Sequence, residues 1–113
     1  METIEFSTNW NKKLQCNAFT TIRLFNPGKY RVNQVYKIEQ KKVFLMQAAI
    51  IAIKPFMLHD LNDFMAYLDT GYNANECKLI IQRMYANIDF SKTKLSLILL
   101  VKIADGKSMN TVF

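Results

Sequence analysis

Cysteine, histidine, proline and glycine are all scarce in this sequence, with two, one, two and three residues in a chain of 113. Cys16 and Cys77 lie far apart and form no CxxC pair, so a disulfide framework is not expected. With His59 as the single histidine, the usual ligand sets of zinc are missing, and we expect neither a metal site nor a cofactor. The shortage of glycine and proline argues against linkers and low-complexity segments.

Long apolar runs are also absent. The longest, from Val43 to Ile53, contains Gln47 and falls short of the roughly 20 residues that a membrane helix needs. The start of the chain, Met1 to Glu5, carries two acidic residues and no apolar core, which is not typical of a signal peptide. Together with the few cysteines, these features predict a soluble, cytoplasmic protein without a membrane partner.

Acidic residues are scarce in one half of the chain only. Residues 1–54 hold nine Lys and Arg against three Asp and Glu, whereas residues 55–113 hold six of each, so the whole net charge of +6 comes from the first half. Such an excess suits a polyanion such as nucleic acid, or equally a solvated lysine surface. Half of the residues are hydrophobic, which predicts a single domain over residues 1–113, with a core at about 8–103 and a tail at 104–113.

The segment from Phe19 to Leu24 alternates polar and apolar residues and predicts a half-buried strand. Thr21 and Arg23 fall on the same face of this strand. If that face is exposed, a hydroxyl and a guanidinium side by side can grip a phosphate or a carbonyl group.

Further strands are predicted at 35–38, 43–53 and 94–103, after a short strand at 4–6. Residues 39–42 predict a hairpin turn. The run at 43–53 has the length of a strand or a buried helix, and its isoleucines and the tight turn before it favour a strand. We expect this strand to end at Lys54-Pro55, because the residue before a proline avoids the helical region.

Three helices are predicted. Ser7 or Thr8 can cap a short helix that ends at Leu14. A second helix at about 58–68 has its apolar face at Leu61, Phe64, Met65 and Leu68. Gly71 is suited to a left-handed cap behind it, and Asn73 and Glu76 have the spacing of a capping box at the start of a third helix. This order of elements predicts an α+β domain whose sheet curls toward a small open β-barrel of about five to six strands with two to three helices.

Two segments of the chain resemble the ASCH domain family. They are Leu14-Gln15-Cys16-Asn17-Ala18-Phe19-Thr20-Thr21-Ile22-Arg23 and Asn75-Glu76-Cys77-Lys78-Leu79-Ile80-Ile81-Gln82-Arg83-Met84-Tyr85. ASCH domains are small proteins with a PUA-like barrel, related to RNA-binding PUA modules. The resemblance covers about residues 8–103 and implies the same PUA-like barrel for this chain.

The family includes bacterial amidohydrolases that remove an acetyl group from acetylated cytidine, and members reported to cleave RNA. Those amidohydrolases use a lysine, a threonine three residues on, and a glutamate near the start of the later helix. Their Thr-x-Arg pattern matches Thr21 and Arg23, and their glutamate matches Glu76, so the resemblance implies Thr21 and Glu76 as catalytic residues. The lysine position falls on Ala18. A threonine nucleophile needs a nearby base or cation, and the sequence leaves open whether Lys12 or Lys13 supplies it.

Each candidate also has an ordinary structural interpretation. Thr21 suits any strand, Arg23 can form a salt bridge with a carboxylate such as that of Glu76, and Glu76 completes a capping box with Asn73. Tyr72 can stack on a base, as can Trp10, for which burial is the default expectation.

Three hypotheses about function follow. The first is an ASCH-type module that binds RNA or a nucleoside or nucleotide in a cleft between the Thr21/Arg23 strand and the start of the Glu76 helix. Its ligand-binding residues would be Thr21, Arg23, Glu76, Lys12, Lys13, Lys29 and Tyr72. The second is a hydrolase acting on a modified nucleoside such as acetylated cytidine, or a ribonuclease. The third is an interaction protein without a ligand. No sequence feature indicates an oligomeric state.

Overall fold

The secondary structure of residues 1–103 is described by a computed structural model, and the predicted tail at 104–113 lies outside the described residues. The strands are β1 (Thr3–Phe6), β2 (Ala18–Leu24), β3 (Val35–Gln40), β4 (Val43–Phe56) and β5 (Leu95–Ile103). The α-helices are α1 (Asp63–Thr70) and α2 (Ala74–Met84), and two short 3-10 helices span Trp10–Gln15 and Leu58–Asp60. None of these helices has both the length and the apolar character that crossing a membrane requires.

The five strands form one mixed sheet in the order β1-β3-β4-β5-β2. Only β1 and β3 pair in parallel. β4 carries one extra residue, Leu45, opposite β3, and another, Ile51, opposite β5. Such bulges bend a strand and increase its twist. The sheet curls accordingly into a small open barrel, and the predicted α+β class is confirmed.

Arg23 connects the two edges of the sheet, β1 and β2. Its Nη2 donates a hydrogen bond of 2.7 Å to the carbonyl oxygen of Glu5 in β1. Its guanidinium carbon lies 4.6 Å from the centre of the Phe6 ring, and that ring packs edge-on against Phe19 of β2 at 6.0 Å. Within residues 1–103 no backbone pairing joins the two strands, so side chains close the barrel and leave a gap between its edges.

The core has two parts, one on each face of the sheet. Inside the curl pack Ile4, Phe6, Phe19, Tyr36, Ile38, Ile50, Ile98 and Leu100. Against the helices pack Ile22, Leu61, Met65, Ala66, Cys77, Ile81 and Leu95. Because successive strand residues point to opposite faces, β2 contributes to both parts and places Thr21 and Arg23 on the face that carries Phe19.

The caps of the helices follow the predicted pattern only in part. Gly71 directly follows α1 and has a left-handed φ of 80°, as predicted. The Asn73 side chain accepts from the Glu76 N–H at 2.9 Å and donates to its carboxylate at 3.1 Å, so the capping box is confirmed. The cap of the first helix was predicted wrongly: the helix starts behind Asn9, whose Oδ1 accepts from the Leu14 N–H at 2.9 Å.

The predicted apolar face of the helix at 58–68 was correct for Leu61 and Met65, which are buried, and wrong for Phe64 and Leu68. A 3-10 turn and Leu61 come first, and α1 begins behind Asn62, whose side chain accepts from the Met65 N–H at 2.9 Å. The face of α1 that packs inward carries Met65, Ala66 and Asp69, which leaves Phe64 74% and Leu68 51% exposed.

The predicted end of the long strand at Lys54-Pro55 was also wrong, because β4 continues to Phe56. β3 pairs with β4 only as far as Ala49, so the far half of β4 has β5 as its one neighbour in the sheet. Pro55 lacks an N–H and is tolerated where a strand has a free side.

The predicted hairpin turn joins β3 and β4 through two lysines. Gln40 pairs with Val43, and Lys41 and Lys42 between them have φ values of 49° and 67°. Two successive residues with positive φ are the pattern of a type I′ turn, which favours Asn-Gly. The two lysines are therefore strained in this turn.

The double variant Lys41→Asn/Lys42→Gly is expected to raise the free energy of unfolding by about 1 kcal/mol, since both replacements suit positive φ. Chemical denaturation measures the change. Lys41→Ala/Lys42→Ala is the control, because it removes the same two charges without relieving the backbone. Equal stabilisation by both variants would assign the effect to charge and contradict the turn argument.

Candidate functional site

A cavity of about 60 Å³, the inner cavity, is lined by residues of both edge strands, of the first 3-10 helix and of α1 and α2. Its floor consists of side chains that are almost fully buried: Phe6, Lys13, Thr21, Ile22, Asp69, Thr70 and Ile81. Half-buried and exposed residues form its rim, among them Ser7, Thr8, Trp10 and Arg23. The inner cavity is thus a small pocket with a buried floor at the gap of the barrel.

Thr21 and Arg23 lie side by side in the inner cavity. Arg23 Nε donates a hydrogen bond of 2.9 Å to Thr21 Oγ1. The expectation of an exposed face was wrong for Thr21, which is only 3% exposed, because the curled sheet turns this face of β2 inward. The hydroxyl is therefore reached through the cavity and not from an open strand surface.

The Arg23 guanidinium lines the inner cavity and is not paired with a carboxylate of residues 1–103. It carries five N–H donors, and its bonds to Thr21 and Glu5 use two of them. The ion pairs within 4.0 Å in residues 1–103 are Lys13–Asp69 and His59–Asp60, so Arg23 has no carboxylate partner in this part of the chain. The salt bridge to Glu76 that was considered from the sequence is not formed.

A buried ion pair lies on the floor of the inner cavity. Lys13 Nζ donates to Asp69 Oδ1 at 2.8 Å and to the Asp69 carbonyl oxygen at 3.1 Å. The Thr20 hydroxyl donates to the same Oδ1 at 2.9 Å. Burial lowers the pKa of Lys13 from its ordinary value of 10.5, although the Asp69 carboxylate acts in the opposite direction.

The backbone around Asn11 brings this pair together. Asn11 and Lys12 both have left-handed φ values, 56° and 53°, which interrupt the short helix. Gly71 lies so close that a Cβ there would stand 3.2 Å from the Asn11 side chain. This contact joins the end of α1 to the first 3-10 helix and places Asp69 beside Lys13, while the side chain of Lys12 stays exposed.

A second, wider cavity of about 350 Å³, the outer cavity, is lined by Trp10, Tyr72, Glu76, Leu79, Ile80 and Arg83. Trp10 and Ile80 line both cavities, so the two adjoin. The rings of Trp10 and Tyr72 meet edge-on at 5.8 Å, and Trp10 is half-buried. A volume of this size is in the range of small-molecule sites, which begin at roughly 300 Å³.

The predicted site residues divide between these places. Thr21, Arg23 and Lys13 share the inner cavity, and Tyr72 and Glu76 line the outer one. Lys12 and Lys29 line neither. Ala18, at the lysine position of the ASCH pattern, is exposed at the start of β2.

Two residues that line the cavities, Asp69 and Arg83, were not predicted as site residues from the sequence. Asp69 could have been found, because it lies four residues after Met65 and so falls on the buried face of α1 once that face is known. A carboxylate on such a face requires a partner. Arg83 carries no comparable signal. In residues 1–103 no three His, Cys, Asp or Glu side chains are grouped so that they could hold a metal ion.

Lys13→Met is expected to lower the free energy of unfolding by about 3–5 kcal/mol, because removing one partner of a buried pair leaves the other charge uncompensated. In the double variant Lys13→Met/Asp69→Asn neither charge remains. Its loss of unfolding free energy should therefore be clearly smaller than the sum of the losses in Lys13→Met and Asp69→Asn. Urea denaturation of the four proteins measures this coupling. The exposed His59–Asp60 pair, 3.5 Å apart, is the control and should show almost none. Additive losses at Lys13 and Asp69 would contradict the assignment.

Comparisons of the chain with protein-family models, with curated proteins and with solved structures find no match.

Proposed function

We propose that this protein is an ASCH-type binding module for a nucleoside or nucleotide, free or as part of RNA. The observation that carries the proposal is the adjacency of two unlike cavities with Trp10 as their shared wall. One presents a guanidinium that has no carboxylate partner among residues 1–103, and the other presents aromatic rings beside a carboxylate. A nucleotide has the complementary parts, a phosphate or carbonyl group and a flat base.

The inner cavity supplies the polar end of this arrangement. The free N–H donors of Arg23 can hold an anionic or carbonyl oxygen by charge-assisted hydrogen bonds. Asp69 is neutralised by Lys13 at 2.8 Å, so the charge that remains among these three groups is that of Arg23. The basic first half of the chain adds long-range attraction for a polyanion.

The outer cavity supplies the base. Tyr72 is 42% exposed and offers a ring on which a base can stack, which is sequence-tolerant because every base has a π-face. The carboxylate oxygens of Glu76 can accept hydrogen bonds from an exocyclic amine, and one of them already accepts from Asn73 at 3.1 Å. The capping box thus holds the Glu76 carboxylate at the outer cavity, where its oxygens can still accept further hydrogen bonds. The free thiol of Cys16, which is exposed, suits the cytoplasm as the place of this function.

A hydrolase on a modified nucleoside is the second candidate, and one observation favours it. Lys13 lines the same cavity as Thr21, although the ASCH lysine position is Ala18, and a lysine of lowered pKa can activate a hydroxyl nucleophile. However, both hydrogen bonds of Lys13 go to Asp69, and the partner of the Thr21 hydroxyl is Arg23. Binding is therefore the better supported function.

Acetylated cytidine separates the two candidates. The binding module is expected to take up this nucleoside without releasing acetate, as measured by chromatography over hours at millimolar substrate. Release of acetate that disappears in Thr21→Ala, with an unchanged melting temperature, would instead establish the hydrolase.

Binding itself can be followed through Trp10, the single tryptophan of the chain, because a ligand on its ring changes its fluorescence. Tyr72→Ala is expected to weaken the binding of nucleotides and short RNA about tenfold, the effect of losing one stacked base. Tyr67→Ala is the matched control, since Tyr67 is 52% exposed on α1 and lines neither cavity. Equal losses in both variants, or no fluorescence response to any nucleoside, nucleotide or RNA, would contradict the proposed function.

A further inference from the structure

The shape of the inner cavity limits which part of a nucleotide can enter it. Its floor residues Lys13, Thr21 and Asp69 are each at most 5% exposed, and apolar side chains of β2 and α2 complete the floor. The cavity is therefore closed at its floor, so a group of the ligand enters from the rim and cannot pass through. A polymer backbone, which must continue on both sides of each phosphate, does not fit into a blind pocket.

The volume of the inner cavity matches a single small group. A buried water needs roughly 10–15 Å³, so about 60 Å³ has room for about four to six waters, which is enough for the phosphorus and four oxygens of one phosphate monoester. The outer cavity, at about 350 Å³, holds the larger remainder of a nucleotide. Trp10 and Ile80, which line both cavities, lie where the two adjoin.

The polar groups at the inner cavity also suit an anion better than a neutral group. Within residues 1–103, Arg23 has three N–H donors left after its bonds to Thr21 and Glu5, five in the guanidinium less the two used. The Glu5 carboxylate, which would repel an anion, is held by the Lys42 N–H at 2.8 Å. At the rim, the hydroxyls of Ser7 and Thr8 are exposed and available as donors.

From this geometry, and resting on the proposed function, we infer that the ligand carries a terminal phosphate monoester, which enters the inner cavity while its base lies in the outer one. A monoester has three free oxygens to share among Arg23 and the rim, whereas an internal diester has two and a carbon substituent on each side. The ligand is then a free mononucleotide or the phosphorylated end of an RNA strand.

The experiment compares ligands on the wild-type protein through Trp10 fluorescence. For each common base, the nucleoside, its 5′- and 3′-monophosphates and the methyl esters of those phosphates are titrated. One of the monoesters is expected to bind about tenfold or more tightly than the nucleoside, as charge-assisted hydrogen bonds imply. Its methyl ester should lose most of that gain. Six-nucleotide RNAs with hydroxyl or phosphate ends form a second arm, which tells an RNA end from a free nucleotide.

Arg23→Gln is expected to remove the advantage of the monoester over the nucleoside. Arg31→Gln is the matched control, because it removes the same charge and a similar bond, from Arg31 Nη2 to the Gly28 carbonyl oxygen at 2.9 Å, outside both cavities. The ligand series on wild-type protein decides the question if Arg23→Gln does not fold.

Nucleosides that bind as tightly as their monophosphates, or methyl esters that bind as tightly as the monoesters, would overturn the terminal phosphate and leave the binding module intact. A protein that binds none of these ligands would overturn both. A monoester advantage in either arm supports the inference, and the arm in which it is larger identifies the source of the phosphate.

Discussion

The contact of Arg23 with β1 is the interaction on which the rest of the structure depends. The sheet curls because of its bulges, but its two edge strands have no backbone pairing within residues 1–103. Arg23 of β2 holds the edges together through a hydrogen bond to the Glu5 carbonyl oxygen and a contact with the Phe6 ring, both in β1. A barrel closed by side chains keeps a gap, and the inner cavity lies there. The residue that joins the two edges is therefore also a cation that lines the inner cavity.

The buried ion pair of Lys13 and Asp69 lies in the floor of the same cavity. Two charges with side chains only 6% and 7% exposed are tolerated because each finds the other at 2.8 Å, and Thr20 and a carbonyl oxygen satisfy further hydrogen bonds. The pair ties the first 3-10 helix to α1 and forms part of the floor of the inner cavity. It also neutralises Asp69, whereas Arg23 has no carboxylate partner within residues 1–103. The ion pair that supports the structure and the unpaired guanidinium thus belong to one small cluster.

Much of the local structure was predictable because its causes are local. The period-two pattern of β2, the left-handed Gly71 and the capping box of Asn73 with Glu76 each depend on residues a few positions apart. The errors occurred where a distant partner decides. Pro55 remains in β4 because β3 has already ended, and Phe64 and Leu68 are exposed because Met65 and Ala66 are the residues of α1 that pack against the core.

The candidate site shows the same division. The sequence by itself determined that Thr21 and Arg23 are neighbours on one face of a strand, because alternation along a strand is a property of the backbone. Only the tertiary structure decided that Thr21 is buried and that Glu76 lines another cavity than Arg23. It alone also decided that Lys13 pairs with Asp69, 56 residues away. These outcomes depend on how the sheet curls and how α1 and α2 pack on it, which is settled by many weak contacts acting together across the chain.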